Sequence, residues 1–335
     1  MAKPDAMNVL PQGIHDFLKD VGFLGAQIEP IPGDASFRRY FRIRHTSGSY
    51  MLMFSPPLSE DPRPFVHVAQ WLIANDMRAP KIVADDLSAG WILTEDFGDN
   101  RMKEWLDRNP EYEVPVYKEA IDTLIQLHNC SAGPFNLYDQ ATYLREVRLF
   151  TEWFCPSARL DVDLEAYSKA WVEVLKPVIS RQTPGVTVLR DYHAENIMLL
   201  HDLVTNTEKQ GLIDFQDALL GHPAYDLVSL LQDARRNVSA SFEKQMLHYY
   251  VEQTTANDDF EADYAVLGAQ RNAKIIGIFT RLSQRDQKHK YLDYIPRVWT
   301  LLERDLSHRT LAPVSRWFEQ NIPIEVRRRG STLYG

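Results

Sequence analysis

The chain has 335 residues, a length that fits one large domain or two ordinary ones. Its formal net charge of −9 argues against the overall positive field with which a protein holds nucleic acid or an anionic membrane. Its two cysteines, Cys130 and Cys155, are too few for a disulfide framework and lack metal-ligand spacing. The sequence shows neither the apolar run of a signal peptide nor one of membrane-spanning length. We therefore expect a cytoplasmic protein with a small-molecule substrate, no nucleic-acid or membrane partner, and no partner protein that could be inferred.

The first hundred residues read as short strands separated by turns. Residues 38–44 alternate between two faces, and the apolar runs 50–54 and 91–94 predict further strands. Residues 65–75 instead show the apolar spacing of a helix. We expect a small antiparallel β-rich lobe over residues 1–97, which would bind nucleotide.

After Gly98 the apolar period becomes that of a helix. Helices are predicted around three apolar stripes and in four further segments: 117–125, 143–154, 167–178, 224–236, 241–256, 262–285 and 297–307. The apolar runs 197–200 and 211–213, separated by polar residues, predict one β-hairpin within this helical part. We expect residues 98–335 to form a large, mainly helical lobe that carries catalysis and substrate binding.

The segments flanking the predicted hairpin carry the chemistry. Asp191 is followed after four residues by Asn196, and Asp214 ends the second apolar run. Kinase catalytic loops use this spacing, with an Asp as base and an Asn and a later Asp as Mg²⁺ ligands. We predict Asp191 as the catalytic base and Asn196 and Asp214 as Mg²⁺ ligands, with ATP as co-substrate. The fold class is then α+β, a protein-kinase-like two-lobed fold.

Two other interpretations of this segment are possible. Each residue alone could be structural: Asp191 capping a turn, Asn196 in a loop and Asp214 at a strand end. The His193-Ala-Glu195 triplet also matches half of a zinc deaminase signature. That chemistry needs a later Pro-Cys-x-x-Cys, and no cysteine follows Cys155, so a zinc site of this kind is excluded.

The same motifs resemble the aminoglycoside phosphotransferase-like family of kinases. In that family the catalytic loop usually has the sequence His-Gly-Asp-x-His-x-x-Asn. A strand that ends in Ile-Asp-Phe or Ile-Asp-Trp comes next, and a Gly-x-Pro-x-x-Asp-Leu motif follows it. This chain matches at Asp191, His193, Asn196 and at 213–215, but has Leu-Arg in place of His-Gly. The resemblance implies that Asp226, in the last motif, braces the catalytic loop.

Residues at the nucleotide end are predicted from their position in a kinase lobe. The turn 33–40 stands where a kinase covers the phosphates, and 93–98 resembles the family's hinge, whose backbone would bind adenine. The predicted ATP-binding residues are Gly33, Ser36, Arg38, Arg42, Glu95 and Phe97. An ordinary hairpin turn and a plain linker are the alternatives.

The third strand departs from the kinase pattern. Met53 stands where a phosphate-binding Lys belongs, and the helix at 65–75 lacks the Glu that would pair with it. We expect Arg38 or Arg42 to supply the missing charge. The alternative is a degenerate kinase that binds nucleotide without turnover.

At the substrate end, Arg271, Lys274, Arg281 and Arg285 share one face of the helix at 262–285. A solvated basic face is one explanation, and an anionic or neutral sugar substrate is the other. Residues 33–42, 190–193 and 277–286 resemble N-acetylmuramate/N-acetylglucosamine anomeric kinases of peptidoglycan recycling. This resemblance implies phosphorylation of a C1 hydroxyl. A kinase of another small alcohol, with a choline-, homoserine- or aminoglycoside-like acceptor, and a non-catalytic nucleotide-binding module are the alternatives. The predicted substrate-binding residues are Trp153, His193, Arg271, Arg281 and Arg285.

Overall fold

The computed structural model describes residues 10–32, 37–200 and 210–327. The chain divides into two compact units. The first contains the residues up to Trp105 together with Glu195–Asp217, and the second contains Leu106–Ala194 and the residues after Asp217. The division therefore follows Trp105, whereas the sequence suggested residue 97, and the hairpin belongs to the first unit.

A five-stranded antiparallel sheet forms the centre of the first unit, in the order β1-β2-β3-β5-β4. Its strands are β1 (Gln27–Ile31), β2 (Arg39–His45), β3 (Gly48–Phe54), β4 (Ile82–Asp86) and β5 (Trp91–Glu95). The register places Phe41 opposite Leu52 and Leu52 opposite Leu93, so one row of apolar side chains crosses three strands. The predicted strands are confirmed.

Two helices cover this sheet's apolar side chains. α1 (Ile14–Asp20) packs Ile14, Phe17 and Leu18 into a cluster with the row that crosses the strands. α2 (Arg63–Ala74) has Pro64 in its first turn, where the missing N–H leaves no hydrogen bond unmade. The first unit thus contains the mixed β and helical elements expected of the small lobe.

The predicted hairpin is confirmed. Its strands are β7 (Ile197–Met198) and β8 (Gly211–Leu212), which pair antiparallel. The Leu199 N–H donates to the Asn100 carbonyl, and the Leu212 N–H donates to the Arg78 carbonyl, both at 2.8 Å. These bonds explain why the hairpin belongs to the first unit although it follows residues 189–196, the predicted catalytic loop, in sequence.

Helices dominate the second unit. The helices from residue 102 onward are α3 (Met102–Arg108), which begins in the first unit, α4 (Glu113–Asn129), α5 (Gln140–Leu149), α6 (Cys155–Ser157), α7 (Leu164–Arg181), α8 (Ala224–Leu231), α9 (Ala240–Gln253), α10 (Phe260–Asp286), α11 (Ile295–Leu306) and α12 (Ala312–Asn321). Short 3₁₀ turns occupy Pro110–Tyr112, Ala194–Asn196, His289–Tyr294 and Arg309–Leu311. No helix in the described ranges is long and apolar enough to cross a membrane.

The long helix α10 is buried along most of its length and packs against α5, α8 and α11. A Cβ atom at Gly277 would collide with the backbone of Leu149 and Phe150, so this glycine permits the close approach of α10 to that turn. Phe150–Phe154 form a π-helical turn. A short pair of strands, β6 (Val186–Val188) and β9 (Leu219–Gly221), fixes the start of the catalytic loop within the second unit.

Candidate active site

Asp226 holds the beginning of the catalytic loop. It lies in the first turn of α8, fully buried, and accepts the backbone N–H groups of Leu189 at 2.6 Å and Arg190 at 2.8 Å. Burial raises the pKa of Asp226 to about 7, although the two backbone hydrogen bonds act against this rise. The bracing contact is therefore made by a carboxylate whose charge changes near neutral pH.

Arg190 occupies the position of a glycine in the resembling family and has a backbone φ of 72°, in the left-handed region. A non-glycine residue in this region costs about 1 kcal/mol or more, so the surrounding contacts must stabilise it. Its guanidinium pairs with the buried carboxylate of Glu146 on α5. Glu146 also pairs with Lys274 of α10 at 3.0 Å and accepts the hydroxyl of Tyr138. The residue before Asp191 is thus tied to two helices.

Asp191 is half-buried in the loop that these contacts hold. Desolvation by the surrounding protein would raise its pKa, but nearby side chains outweigh that effect and hold the pKa below its ordinary value. The side chains that act in this direction at neutral pH are Lys274, Arg271 and Arg190, and protonated His193 adds to them only at low pH. Asp191 is therefore a carboxylate at neutral pH, the form that can orient a hydroxyl and accept its proton.

His193 is buried, and its Nε2 lies 3.2 Å from Nη1 of Arg235. Burial lowers the pKa of His193 to about 4, so the imidazole is neutral at physiological pH. A neutral ring can accept a hydrogen bond from a guanidinium, which accounts for the contact. The structure gives His193 a packed environment and does not establish a contact with substrate.

The two predicted Mg²⁺ ligands lie side by side in the first unit. The Asn196 amide nitrogen is 3.4 Å from Asp214 Oδ2, and the Ile213 N–H donates to the Asn196 carbonyl at 3.1 Å. The Asp214 side chain is 47% exposed. One carboxylate and one amide oxygen suit Mg²⁺, which takes few protein ligands and otherwise binds water and phosphate. The described residues contain no cluster of three His, Cys, Asp or Glu side chains that would indicate a fuller metal cage.

Arg38, just before β2, forms an ion pair with Asp214. Its Nε donates to Glu60 Oε1 at 2.6 Å, and its Nη1 lies 3.4 Å from Asp214 Oδ1. Burial acts to lower the pKa of Arg38, but Tyr40, Glu60 and Asp214 raise it, so the guanidinium stays charged. Glu60 was not predicted from the sequence, because the kinase pattern places the carboxylate that pairs with the phosphate-binding cation within the following helix.

Arg42 has different surroundings. Its Nε lies 2.8 Å from Asp96 Oδ2, and its Nη2 lies 2.8 Å from Asp99 Oδ1, and both carboxylates belong to the linker after β5. The charge of Arg42 is therefore matched by carboxylates of the linker, whereas that of Arg38 reaches Asp214. Met53 is 2% exposed in β3, opposite Tyr40 and Ile92, and serves packing.

The hinge side chains are engaged within the first unit. Glu95 pairs with Arg78, whose guanidinium also lies 4.6 Å from the centroid of the Phe97 ring. The Glu95 N–H donates to the Lys81 carbonyl at 2.9 Å, so it is not free for adenine. Among the described residues no hydrogen bond engages the Phe97 backbone. Gly33 and Ser36 of the predicted phosphate loop lie outside the described residues.

The four cations of α10 do not form one solvated face. Lys274 forms an ion pair with Glu146. Arg285 is exposed and pairs with the adjacent Asp286 at 2.8 Å. Arg281 is half-buried, and Arg271 is almost entirely buried. Trp153 is half-buried on the π-helical turn, between the fully buried Phe150 and Phe154. Burial thus separates residues that the helical period placed in one stripe.

Comparison with known proteins supports the kinase interpretation. Curated proteins named N-acetylmuramate/N-acetylglucosamine kinase match the chain at 35% identity in Caulobacter vibrioides, covering 93% of this chain and 96% of the relative. The relative of this name in Pseudomonas aeruginosa matches at 34%, covering 85% of each chain.

Solved structures of similar fold share little sequence. The choline kinase LicA from Streptococcus pneumoniae has a TM-score of 0.64 at 14% identity, covering 89% of this chain and 97% of its own. The ADP-bound aminoglycoside phosphotransferase APH(2'')-Ib has a TM-score of 0.59 at 15% identity, covering 88% and 97%. These likenesses confirm the predicted protein-kinase-like fold. The model of the phosphotransferase enzyme family matches residues 27–264, and this chain belongs to that family.

Proposed function

We propose that the chain is an ATP- and Mg²⁺-dependent sugar kinase that phosphorylates the C1 hydroxyl of N-acetylmuramate and N-acetylglucosamine. The observation that carries this proposal is the similarity, over nearly the whole length, to curated kinases named for these two sugars. The relative in Neisseria meningitidis with the same name, 32% identical over 90% of this chain, adds to it. C1 as the acceptor position is implied by the sequence resemblance.

Asp191 is the catalytic base of this proposal. Its lowered pKa keeps the carboxylate ionised, and Asp226 fixes the backbone that leads to it. The hydroxyl oxygen of C1 forms a bond to the γ-phosphorus as the bond from that phosphorus to the ADP oxygen breaks. The hydroxyl proton passes to the Asp191 carboxylate, and such a positioned base contributes a factor of roughly 10² to 10⁴ in rate.

Asn196 and Asp214 would hold Mg²⁺, which would neutralise phosphate charge and bind phosphate oxygens. Arg38 reaches the same Asp214 carboxylate at 3.4 Å and is the candidate for the phosphate-binding charge that Met53 cannot supply. The unengaged Phe97 backbone is the candidate contact for the adenine edge, since the Glu95 N–H already serves the strand.

Cationic acceptors fit the helical unit less well. Choline and aminoglycosides carry positive charge, whereas Lys274 and Arg271 act electrostatically on Asp191. Like charges beside the reacting hydroxyl would disfavour such substrates, and a neutral or anionic sugar avoids that repulsion. This charge pattern favours a neutral or anionic N-acetylated sugar over choline and aminoglycosides.

ADP release measured with a panel of sugars and amino alcohols tests the proposal. We expect turnover with both N-acetylated sugars, lost in EDTA and restored by Mg²⁺. The ³¹P spectrum of the product should show coupling to the anomeric proton, and the phosphate should be acid-labile. A C6 phosphate would overturn the C1 assignment, and nucleotide binding with no turnover on any acceptor would favour a non-catalytic module.

A further inference from the structure

The Arg271 guanidinium is buried and has no described carboxylate in direct contact with it. The residue is 4% exposed within α10, and its Nη1 is buried without a hydrogen-bond partner. No hydrogen bond or ion pair joins it to any residue in the described ranges. A buried charge without a direct partner is unfavourable, so proteins seldom keep one without a compensating group.

The position of Arg271 relates it to the catalytic loop. It precedes Lys274 by one helical turn, and residues three apart in a helix are neighbours on its surface. Lys274 bonds Glu146, and Glu146 bonds Arg190, the residue before Asp191. All these residues belong to the helical unit. Arg271 also acts on Asp191 and Asp226 electrostatically, which agrees with this placement.

The other cations of α10 are excluded by their surroundings. Lys274 and Arg285 already have carboxylate partners. Arg281 lies ten residues further along the helix, about 15 Å at 1.5 Å per residue. Its charged neighbours are Arg285, Asp286 and Glu152, so it belongs to a different region of the surface.

We propose that Arg271 binds the lactyl carboxylate of N-acetylmuramate and thereby favours this sugar over N-acetylglucosamine. This inference rests on the proposed function, since it concerns the acceptor of that reaction. N-acetylmuramate carries a carboxylate that N-acetylglucosamine lacks, and a buried guanidinium offers it a paired, charge-assisted contact. The lactyl carboxylate of the substrate would then be the direct counter-ion of the Arg271 guanidinium.

The test compares Arg271→Gln and Arg271→Lys with wild type on both sugars. For Arg271→Gln, the ratio of kcat/KM on N-acetylmuramate to kcat/KM on N-acetylglucosamine should fall about 10- to 150-fold, the range for one lost hydrogen bond to a charged group, because any loss that acts through Asp191 affects both sugars equally and cancels in the ratio. Arg271→Lys should recover part of the loss. Arg148→Gln, an exposed arginine on α5, is the matched control and should change neither value.

Binding without turnover provides a second measurement. N-acetylmuramate should raise the melting temperature of wild type more than N-acetylglucosamine does, and this excess should vanish in Arg271→Met. The unliganded Arg271→Met protein should melt no lower than wild type, because the substitution removes an uncompensated buried charge. A markedly lower melting temperature would mean that the protein itself compensates the charge, which overturns the proposal.

The outcomes separate the proposal from the function on which it rests. Wild type inactive on both sugars would refute the proposed function. Wild type active on both, with equal losses in Arg271→Gln, would refute only the carboxylate contact and place Arg271 at a group common to both reactions. A selective loss of activity on N-acetylmuramate in Arg281→Gln, with the activity of Arg271→Gln unchanged, would also refute the carboxylate contact of Arg271.

Discussion

At the level of single residues, Asp191 and Asp226 lie in the same unit and have opposite pKa shifts. Asp191 is held ionised chiefly by Lys274 against the effect of burial. Asp226 is driven towards its neutral form by burial, with the charge of Asp191 adding to that effect. The half-buried and ionised Asp191 can therefore accept a proton from substrate, while the fully buried Asp226 binds the backbone.

We predict that Asp191→Asn lowers kcat by roughly 10² to 10⁴, the contribution of a positioned general base. The KM for ATP should stay nearly unchanged, because the amide keeps the shape of the side chain and loses only its basicity. Steady-state kinetics at saturating sugar and Mg²⁺ will measure both values. Near-native turnover would refute the base assignment.

The contacts of Arg38 and Arg42 lead to different predictions for the two residues. Arg38→Ala should raise the KM for ATP or lower kcat by at least tenfold, because its guanidinium lies beside the candidate metal ligand Asp214. Arg42→Ala should act mainly on stability, since it leaves Asp96 and Asp99 without their cation. Kinetics and thermal melts of both variants, with Met53→Ala as a packing control, measure the contrast. Equal small kinetic effects would point to a second Mg²⁺ as the compensating charge.

At the level of elements, the catalytic loop is fixed by helices that are distant in sequence. Arg190 pairs with Glu146, 44 residues away, and Lys274 of α10 joins the same carboxylate. Breaking a buried ion pair from one side leaves an uncompensated charge, and here Glu146 serves two cations. The loop conformation at Arg190, which glycine would adopt more easily, therefore depends on α5 and α10.

We predict that Glu146→Gln lowers the free energy of unfolding by about 3 to 5 kcal/mol, the usual effect of removing one partner of a buried pair. Arg190→Gln should cost clearly less in the Glu146→Gln background than in wild type, with a coupling of about 0.5 to 3 kcal/mol. Urea denaturation of the four proteins gives this double-mutant cycle. Additive effects would show that the pair does not stabilise the loop.

The sequence predicted the elements of both units better than their contacts. Strands, the hairpin at 197–213 and the helix at 262–285 follow from local periodicity, which the structure confirms within a few residues. Glu60 and Glu146 could not be found in this way, because each acquires its role from a partner brought close by folding. The family pattern identified Asp191, Asn196 and Asp214, but not the carboxylates of Glu60 and Glu146 that pair with Arg38 and Arg190 beside them.

The stripe of cations on α10 shows a second limit. Helical period correctly placed Arg271 and Arg285 on one side, but period carries no information about which end of a helix is covered by other elements. The structure gives one of them a buried environment and the other an exposed partner. Burial, which depends on tertiary packing, therefore distinguishes these cations where the helical period does not.

At the level of the whole molecule, the raised pKa of Asp226 should make the stability of the fold and the activity depend on pH in opposite directions. The native state holds a proton on Asp226 up to about pH 7, whereas the unfolded chain releases it near pH 3.9. The native state therefore binds more protons between these values, so this group stabilises the fold at low pH, and that contribution is lost as pH rises through about 7. Activity should change the other way, because a protonated Asp226 can no longer accept both backbone N–H groups.

We predict that the kcat of wild type falls as pH decreases through about 7, while its unfolding free energy gains relative to Asp226→Asn over the same interval. The variant carries a neutral side chain at every pH, so its kcat should be low and free of this acid limb. Urea denaturation and kinetics of both proteins at several values between pH 5 and 8 measure the two trends. The relative slope of stability can reach about 1.4 kcal/mol per pH unit for one proton. Parallel stability curves for the two proteins would show that Asp226 is already ionised throughout, and an acid limb that persists in Asp226→Asn would assign the activity loss to another group.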